Sequence, residues 1–321
     1  MADERAVHPV GEESGVRWEE TWTAGDLLLL TGYGPCGPRA RAYDARTGDP
    51  AGPLLDTPPL SLLLDTPGGD PSVAHAEGHD LVLRDPRTGR VRERLAGAVP
   101  WDPEHLLHVR VAEVAGRPLV LFLDSDTPRS YARWAVDPAT GAPVDELRGA
   151  WNCDHEHERF AVAGPYLVVQ AHEEEAYFFD DGVDICYNSM LHLHGMPSGE
   201  RIGEVERRAG WHPVAAVVGG RPLLSDGRRV LSLPDLEVVA DFEGLADEIA
   251  ALAEWDGEPV ALATRRAWRG ADAPDILEAR PLARPQESTP IAHSPRYIDS
   301  VSVGPDGTVA FLTESGARLW S

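Results

Sequence analysis

The chain contains no lysine: its 29 basic residues are all arginine, against 53 acidic residues, for a formal charge of -24 over 321 residues. That absence excludes a Schiff-base lysine and a phosphate-loop lysine. The surplus of carboxylates repels a nucleic-acid backbone or an anionic membrane surface, so neither is expected as a partner. Cysteine is scarce too. Cys36, Cys153 and Cys186 are odd in number and too few for a disulfide framework, which points to a reducing, cytoplasmic setting. Long hydrophobic runs are also missing: Leu27 to Leu30 and Leu60 to Leu64 fall far short of the about 20 residues a membrane helix needs. The opening Met1-Ala2-Asp3-Glu4-Arg5 lacks a basic region followed by an apolar one, so no signal peptide is expected. A G-x-S-x-G nucleophile elbow occurs nowhere.

What is present is repetition. Tyr43-Asp44-Ala45-Arg46-Thr47-Gly48 returns as Arg84-Asp85-Pro86-Arg87-Thr88-Gly89 and as Val136-Asp137-Pro138-Ala139-Thr140-Gly141. An apolar or alternating run precedes each Asp and a short run follows each Gly, which reads as strand, tight turn, strand. The carboxylate can accept the turn's own N–H groups, and glycine can take the positive φ that a side chain resists. Copies roughly 40 to 50 residues apart match one four-stranded propeller blade. The fold expected is all-β: a single seven-bladed β-propeller of four-stranded antiparallel blades spanning residues 1–321.

Blade one is expected from Val16–Glu19, Leu27–Leu30, Ala40–Tyr43 and Leu54–Leu55, and blade two from Ser72–Ala74, Leu81–Leu83 and Val91–Leu95. Blade three takes His108–Val111, Leu119–Leu123, Tyr131–Val136 and Val144–Leu147. Blade four takes Phe160–Val162, Tyr166–Gln170, Ser189–His194 and Arg201–Val205, with 172–188 as a long insertion. Blade five takes Val214–Val218, Leu223–Leu224, Val230–Leu233 and Val238–Phe242. Blade six takes Ile249–Leu252, Val260–Thr264, Ile276–Ala279 and a weak last strand. Gly244 to Glu254 has helical spacing, but the array needs a strand there. Blade seven begins at Ile298–Val303 and ends with Trp320-Ser321 where a third strand should end. Its fourth strand is expected from Arg5 to Val10, since closing the ring with the other terminus removes two exposed edges.

Ser302-Val303-Gly304-Pro305-Asp306-Gly307-Thr308-Val309-Ala310-Phe311 with Arg318-Leu319-Trp320, and the phrases Gly116-Arg117-Pro118-Leu119-Val120, Gly220-Arg221-Pro222-Leu223 and Gly257-Glu258-Pro259-Val260, resemble the tryptophan-aspartate (WD) repeat propeller family in its divergent bacterial form. The family's Trp-Asp pair is replaced by Tyr-Asp, Arg-Asp, Val-Asp, His-Gly and Trp-Ser. The resemblance implies a rigid platform for protein partners, usually without catalysis. It also implies histidines that hydrogen-bond within a blade, here His75, His105, His155 and His293, each read as standing where a blade begins.

Six of the twelve histidines and two of the three cysteines fall between Trp151 and His212. One reading makes Cys153, His155, His157, His172 and Cys186 three or four ligands of zinc or another transition metal, with Glu173 or Glu174 as a general base. The other reading makes them solvated loops, since no C-x-x-C pair and no i,i+4 His pair exists. Gly32-Tyr33-Gly34-Pro35-Cys36-Gly37 spells the dinucleotide fingerprint, but Pro35 and Pro38 forbid the helix it requires. Arg265-Arg266-Ala267-Trp268-Arg269 offers planar cations and a stacking surface to an acidic peptide or a phosphate. The functional expectation is therefore a non-enzymatic, monomeric scaffold that takes a protein or peptide through Trp101, Trp151, Trp211, Arg265, Arg266, Trp268 and Arg269. No cofactor is required by that expectation. The alternative is a metal-binding protein or metal-dependent enzyme using the cluster at 153–194.

Overall fold

The computed structural model describes residues 7–13, 15–57, 61–64, 70–99, 106–114, 117–124, 133–144, 159–179, 182–196, 198–209, 213–265, 275–294, 298–304 and 307–320. Its strands sort into seven antiparallel sheets. β1 (Val7–Val10) belongs to the last sheet; β2 (Arg17–Ala24), β3 (Leu27–Gly34), β4 (Gly37–Asp44) and β5 (Leu55–Asp56) form blade 1. Blade 2 is β6 (Leu62–Leu64), β7 (Ser72–Glu77), β8 (Asp80–Arg84) and β9 (Val91–Leu95). Blade 3 has β10 (Leu106–Val114), β11 (Arg117–Asp124) and β12 (Arg133–Val136), with an isolated bridge Val136–Pro143 where its fourth strand begins. Blade 4 is β13 (Arg159–Ala163), β14 (Tyr166–Phe179), β15 (Gly182–Gly195) and β16 (Glu200–Glu206). Blade 5 follows as β17 (Val214–Val218), β18 (Arg221–Ser225), β19 (Arg229–Ser232) and β20 (Val238–Asp241). Blade 6 is β21 (Glu248–Trp255), β22 (Glu258–Arg265), β23 (Asp275–Pro281) and β24 (Thr289–Ser294). β25 (Ile298–Val303), β26 (Val309–Thr313) and β27 (Gly316–Trp320) complete blade 7 together with β1. The protein is an all-β, seven-bladed β-propeller.

The order of strands within a blade explains the hydrophobic pattern. A second strand has a neighbouring blade against each face, so it is apolar continuously rather than alternately. Leu27 to Leu30 in β3 and Leu119 to Phe122 in β11 are all buried. An outer strand meets water, and β9 exposes Val91, Arg92, Glu93 and Arg94 while burying only Leu95. Seven apolar clusters result, one in each seam between blades. Each fully buried leucine in them contributes about 1.5–3 kcal/mol relative to exposure.

β1 runs antiparallel to β27, with Val7 opposite Trp320 and Val10 opposite Ala317. Trp320 meets Trp255 of blade 6 edge to face, ring centroids 4.7 Å apart. The connection from β1 to blade 1 is fastened as well. Glu13 Oε1 accepts hydrogen bonds from Tyr43 Oη and Arg41 Nη1, both at 2.5 Å, and Trp18 Nε1 donates to the Gly11 carbonyl at 2.6 Å. Burial, reinforced by the Glu13 carboxylate, pushes the Tyr43 hydroxyl pKa upward.

The repeated turns close the third and fourth strands. Asp44 Oδ1 accepts the N–H groups of Arg46 and Thr47, Asp85 Oδ1 those of Arg87 and Thr88, and Asp137 Oδ1 that of Ala139. Gly48, Gly89 and Gly141 sit at φ 72°, 70° and 70°. Each glycine packs on the outer strand of the preceding sheet, against Val10, Leu55 and Leu95 respectively.

Several expectations change in detail. Blade 2 begins with Leu62–Leu64, which makes Ser72–Glu77 its second strand; three residues are too few to show a period. His75 therefore lies in a second strand, yet it does bond within its blade, Arg84 Nε donating to His75 Nε2 at 2.8 Å. His293 is on the outer strand β24, while His105 and His155 lie outside the described residues. The insertion in blade 4 continues the ladder, Tyr166 opposite Gly195 through to Phe179 opposite Gly182. Since β13 pairs only up to Gln170 and β16 only down to Met190, residues 171–179 and 182–189 form a two-stranded ribbon beyond the blade. Gly244 to Glu254 carries a turn and most of β21, as the array demands.

Candidate functional site: the axial cavity

Antiparallel chaining decides which loops share a face. Each inner strand starts where the connection from the previous blade arrives, and each second strand ends on that same face. A cavity of about 530 Å³ lies on the axis among the inner strands of all seven blades. Glu19, Glu20, Pro213, Glu248 and Ile298 of its wall stand at or near inner-strand starts, and Thr264 near the end of the second strand β22. Much of the described wall, its three glutamates included, thus lies toward the face of the blade-to-blade connections and the loops between second and third strands, while Val303 lines it at the end of β25.

Four inner strands carry an irregularity near their start. The register shifts between Trp18 and Glu20, Leu106 and His108, Ile249 and Ala251, and Asp299 and Val301. An extra residue in one strand of a pair bends it and re-aims neighbouring groups. Three of the extra residues, Glu19, Ala250 and Ser300, line the cavity. Ser300, at φ 40°, also joins blade 7 to blade 1: its Oγ accepts the Thr21 N–H at 3.0 Å, and its carbonyl accepts Thr21 Oγ1 at 3.2 Å.

Arg110, in the middle of β10, links three blades. Nη1 donates to its neighbour's carbonyl, Val109 O, at 2.9 Å, and Nε to Phe160 O of blade 4 at 3.4 Å. Its guanidinium carbon lies 5.5 Å from the ring centroid of Trp22 in blade 1, a cation–π distance. Burial lowers the pKa of this guanidinium, and the Glu20 carboxylate opposes that effect. In the same cavity wall, Trp22 Nε1, Thr264 Oγ1 and Ser302 Oγ are buried without a hydrogen-bond partner among the described residues. Each such group costs about 1–3 kcal/mol.

The residues expected from sequence fall elsewhere. Arg265 ends β22, exposed, with Nε 3.4 Å from Glu278 Oε1, so its charge is shared with a carboxylate that Arg280 also holds. Trp101, Trp151, Trp211, Arg266, Trp268 and Arg269 lie outside the described residues, as do Cys153, His155 and His157. His172 and Cys186 are on the ribbon, His172 opposite Ser189 and Cys186 opposite Glu175, three ladder positions apart. His192 and His194 are buried within blade 4, His194 Nδ1 lying 3.0 Å from the Gly199 carbonyl. Among the described residues no group of three or more His, Cys, Asp or Glu is placed to hold a metal. Cys36 is exposed in the tight β3–β4 hairpin, whose pairing Gly34 opposite Gly37 leaves no room for a helix. The cavity residues were not anticipated. The signal available was a charge inside an inner strand, in Glu19-Glu20-Thr21-Trp22 and Val109-Arg110-Val111.

No family model matches the chain. No curated protein matches it either. Solved structures do. The Dos1 propeller is similar over 100% of this chain and 81% of its own, with 12% identity and a TM-score of 0.53. A streptogramin B lyase is similar over 99% and 97%, with 10% identity and a TM-score of 0.52. The propeller domain of the Trilobed protease from Pyrococcus furiosus, a propeller of open velcro topology, is similar over 96% of both chains, with 12% identity and a TM-score of 0.54. At such identities the likeness establishes the β-propeller fold that this chain shares with them.

Proposed function

We propose that the protein is a non-catalytic scaffold, a divergent WD-repeat-like propeller of the cytoplasm, that acts as a monomer and holds a protein or peptide partner on the face where the axial cavity opens. The observation that carries this reading is the cavity itself: an opening of about 530 Å³ on a rigid ring, with the charged side chains Glu19, Glu20, Arg110 and Glu248 in its wall. Pockets that combine apolar walls with a few placed polar groups are the default binding sites of a fold. On the expectation drawn from the sequence, Trp101, Trp151, Trp211, Arg266, Trp268 and Arg269 supply the contacts of that face. Tryptophan and arginine dominate interface hot spots.

The test is affinity capture from the native host with three forms of the chain. Trp211→Ala with Arg265→Ala should lose whatever the wild type retains. Arg87→Ala, in a turn on the opposite face, should keep it. Retention by the first variant and loss by the second would place the partner on the wrong side of the ring.

A further inference from the structure

We propose that the axial cavity binds a carboxylate that has a cationic nitrogen in the same residue: the C-terminal lysine or arginine of a peptide, or the corresponding free amino acid. This rests on the partner-binding reading above and specifies the chemical group that the partner presents.

Four other sheltered arginines of this chain are held by carboxylates. Arg41, Arg84, Arg229 and Arg280 each hold a carboxylate oxygen within 2.7 Å, from Glu13, Glu77, Asp226 and Glu278 respectively. With 53 acidic residues to draw on, such pairing is easily arranged. Arg110 is not paired in this way. Its hydrogen bonds go to two backbone carbonyls, and no described carboxylate comes within 4.0 Å of it. Glu20 acts on it only from farther away. Its Nη2 amino group makes no hydrogen bond among the described residues while lining an open cavity. A guanidinium partly stripped of water, with donors to spare, is a natural receiver for a carboxylate, whose two oxygens match its planar fork. Trp22 holds it in place from the other side.

The rest of the wall selects what accompanies that carboxylate. Glu19 and Glu20 alone outnumber the single arginine of the described wall, so the described lining carries more negative than positive charge. A dianion such as phosphate meets net repulsion there, and so does an acidic peptide. A ligand whose own cation offsets its carboxylate does not. Thr264, in the same wall, is 2% exposed with Oγ1 unpartnered among the described residues, and an ammonium or guanidinium group can use that hydroxyl beside the wall's carboxylates. The volume, about 530 Å³, falls within the range of small-ligand sites, roughly 300–1,000 Å³, and suits one long side chain with its terminus.

Isothermal titration of the full chain decides it, with four probes: acetyl-Ala-Ala-Lys bearing a free C-terminal carboxylate, the same peptide as its C-terminal amide, free lysine, and inorganic phosphate. The free-acid peptide or lysine should bind saturably, the amide at least about tenfold more weakly, and phosphate not at all. Arg110→Gln should bring the free acid down to the level of the amide. Because that change sits in the core, Glu19→Gln at the exposed rim provides a second reading, and it should weaken the lysine peptide but not its norleucine counterpart. Lysine binding as tightly as the peptide identifies the free amino acid as the ligand, and peptide binding alone identifies a protein terminus. No binding by either up to about 10 mM, or equal binding of acid and amide, overturns the proposal. A partner captured on this face while all four probes stay silent would sink this inference and leave the scaffold reading intact. Probe binding without any captured partner would do the reverse.

Discussion

Leu236 and Gly203 have exchanged the sizes found at the equivalent seams. Elsewhere a turn glycine packs against a larger residue on the preceding sheet's outer strand: Gly48 on Val10, Gly89 on Leu55, Gly141 on Leu95. Between blades 4 and 5 the turn supplies Leu236, at φ 56°, and the outer strand supplies Gly203, where an added Cβ would come within 3.0 Å of Leu236 Cδ1. The seam is filled either way, provided one partner is glycine.

A swap follows from that complementarity. Gly203→Leu should destabilise the protein by about 1–3 kcal/mol through overpacking. Leu236→Gly relieves a left-handed backbone but loses apolar contact, each worth about 1–2 kcal/mol, and should be near neutral. The double variant should recover most of the first loss, a coupling of at least about 1 kcal/mol. Urea midpoints measure all four corners of the cycle; strictly additive costs would mean the two residues do not share the seam.

The three repeated turns differ in how fully the aspartate is used, and that sets an order. Asp85 accepts two backbone N–H groups and pairs with Arg92 at 2.7 Å; burial alone would raise its carboxyl pKa, but the Arg92 hydrogen bond and the N–H groups of Thr88 and Arg87 hold it at about 2. Asp44 accepts two N–H groups and Asp137 one. Replacement by alanine should cost most at Asp85, about 2 kcal/mol, less at Asp44, and least at Asp137, about 0.5–1 kcal/mol. A reversed order in thermal or urea unfolding would show that the carboxylates are not what closes these turns.

These turns were also the readable part of the chain, and the reason is chemical. An Asp that accepts its own turn's N–H groups and a Gly at positive φ leave a visible pattern. Blade 5 closes with the same bond, Leu236 N to Ser232 O at 2.8 Å, but a leucine stands where glycine is expected. Blade 4 does so with Gly195 and Gly199 and no aspartate. Apolar second strands such as Leu27–Leu30 announced themselves, whereas Leu62–Leu64 was too short to. The axial site was legible only as an anomaly. Arg110 interrupts an apolar inner strand, and sequence alone does not show that inner strands from seven blades converge on one space. In loops, by contrast, charge and aromatic content look conspicuous whether or not the loops converge.

His75 gives the protein a pH dependence of definite sign. Burial, aided by the nearby Arg84 cation and opposed by Glu77, lowers its pKa from 6.5 to about 4. Above pH 6.5 both folded and unfolded chains hold it neutral and it contributes no slope. Between pH 6.5 and about 4 the unfolded chain takes up a proton that the folded one refuses, so stability falls with pH, by about 2–3 kcal/mol at the lower end. His75→Gln should be less stable at neutral pH, since Arg84 Nε loses its acceptor geometry, yet flatter across that window. Urea midpoints at pH 7 and pH 4.5 test it. Parallel slopes for the two proteins would assign the acid sensitivity to carboxylates alone.

The fastening of Glu13 to Tyr43 and Arg41 predicts which part of the ring opens first when it is cut. All three meet at one carboxylate oxygen, and the other, Oε2, is buried without a partner among the described residues, so the shared oxygen carries the Glu13 side of the attachment, beside the Trp18–Gly11 bond. Tyr43→Phe removes one charge-assisted bond, worth about 1.5–3 kcal/mol. Glu13→Ala strands both the hydroxyl and the guanidinium and should cost more, about 3 kcal/mol. The effect should be local before it is global. Glu13 lies three residues beyond the end of β1, whose ladder with β27 is four pairs long among the described residues, from Val7–Trp320 to Val10–Ala317. Freed of its tether, that ladder should open at lower free energy than the β26–β27 ladder beside it. Hydrogen exchange resolves the two: in Tyr43→Phe the β1 amides should lose protection severalfold while those of β26 keep theirs. Equal loss in both strands would mean that Glu13 supports blade 7 as a whole rather than the junction between first and last strands.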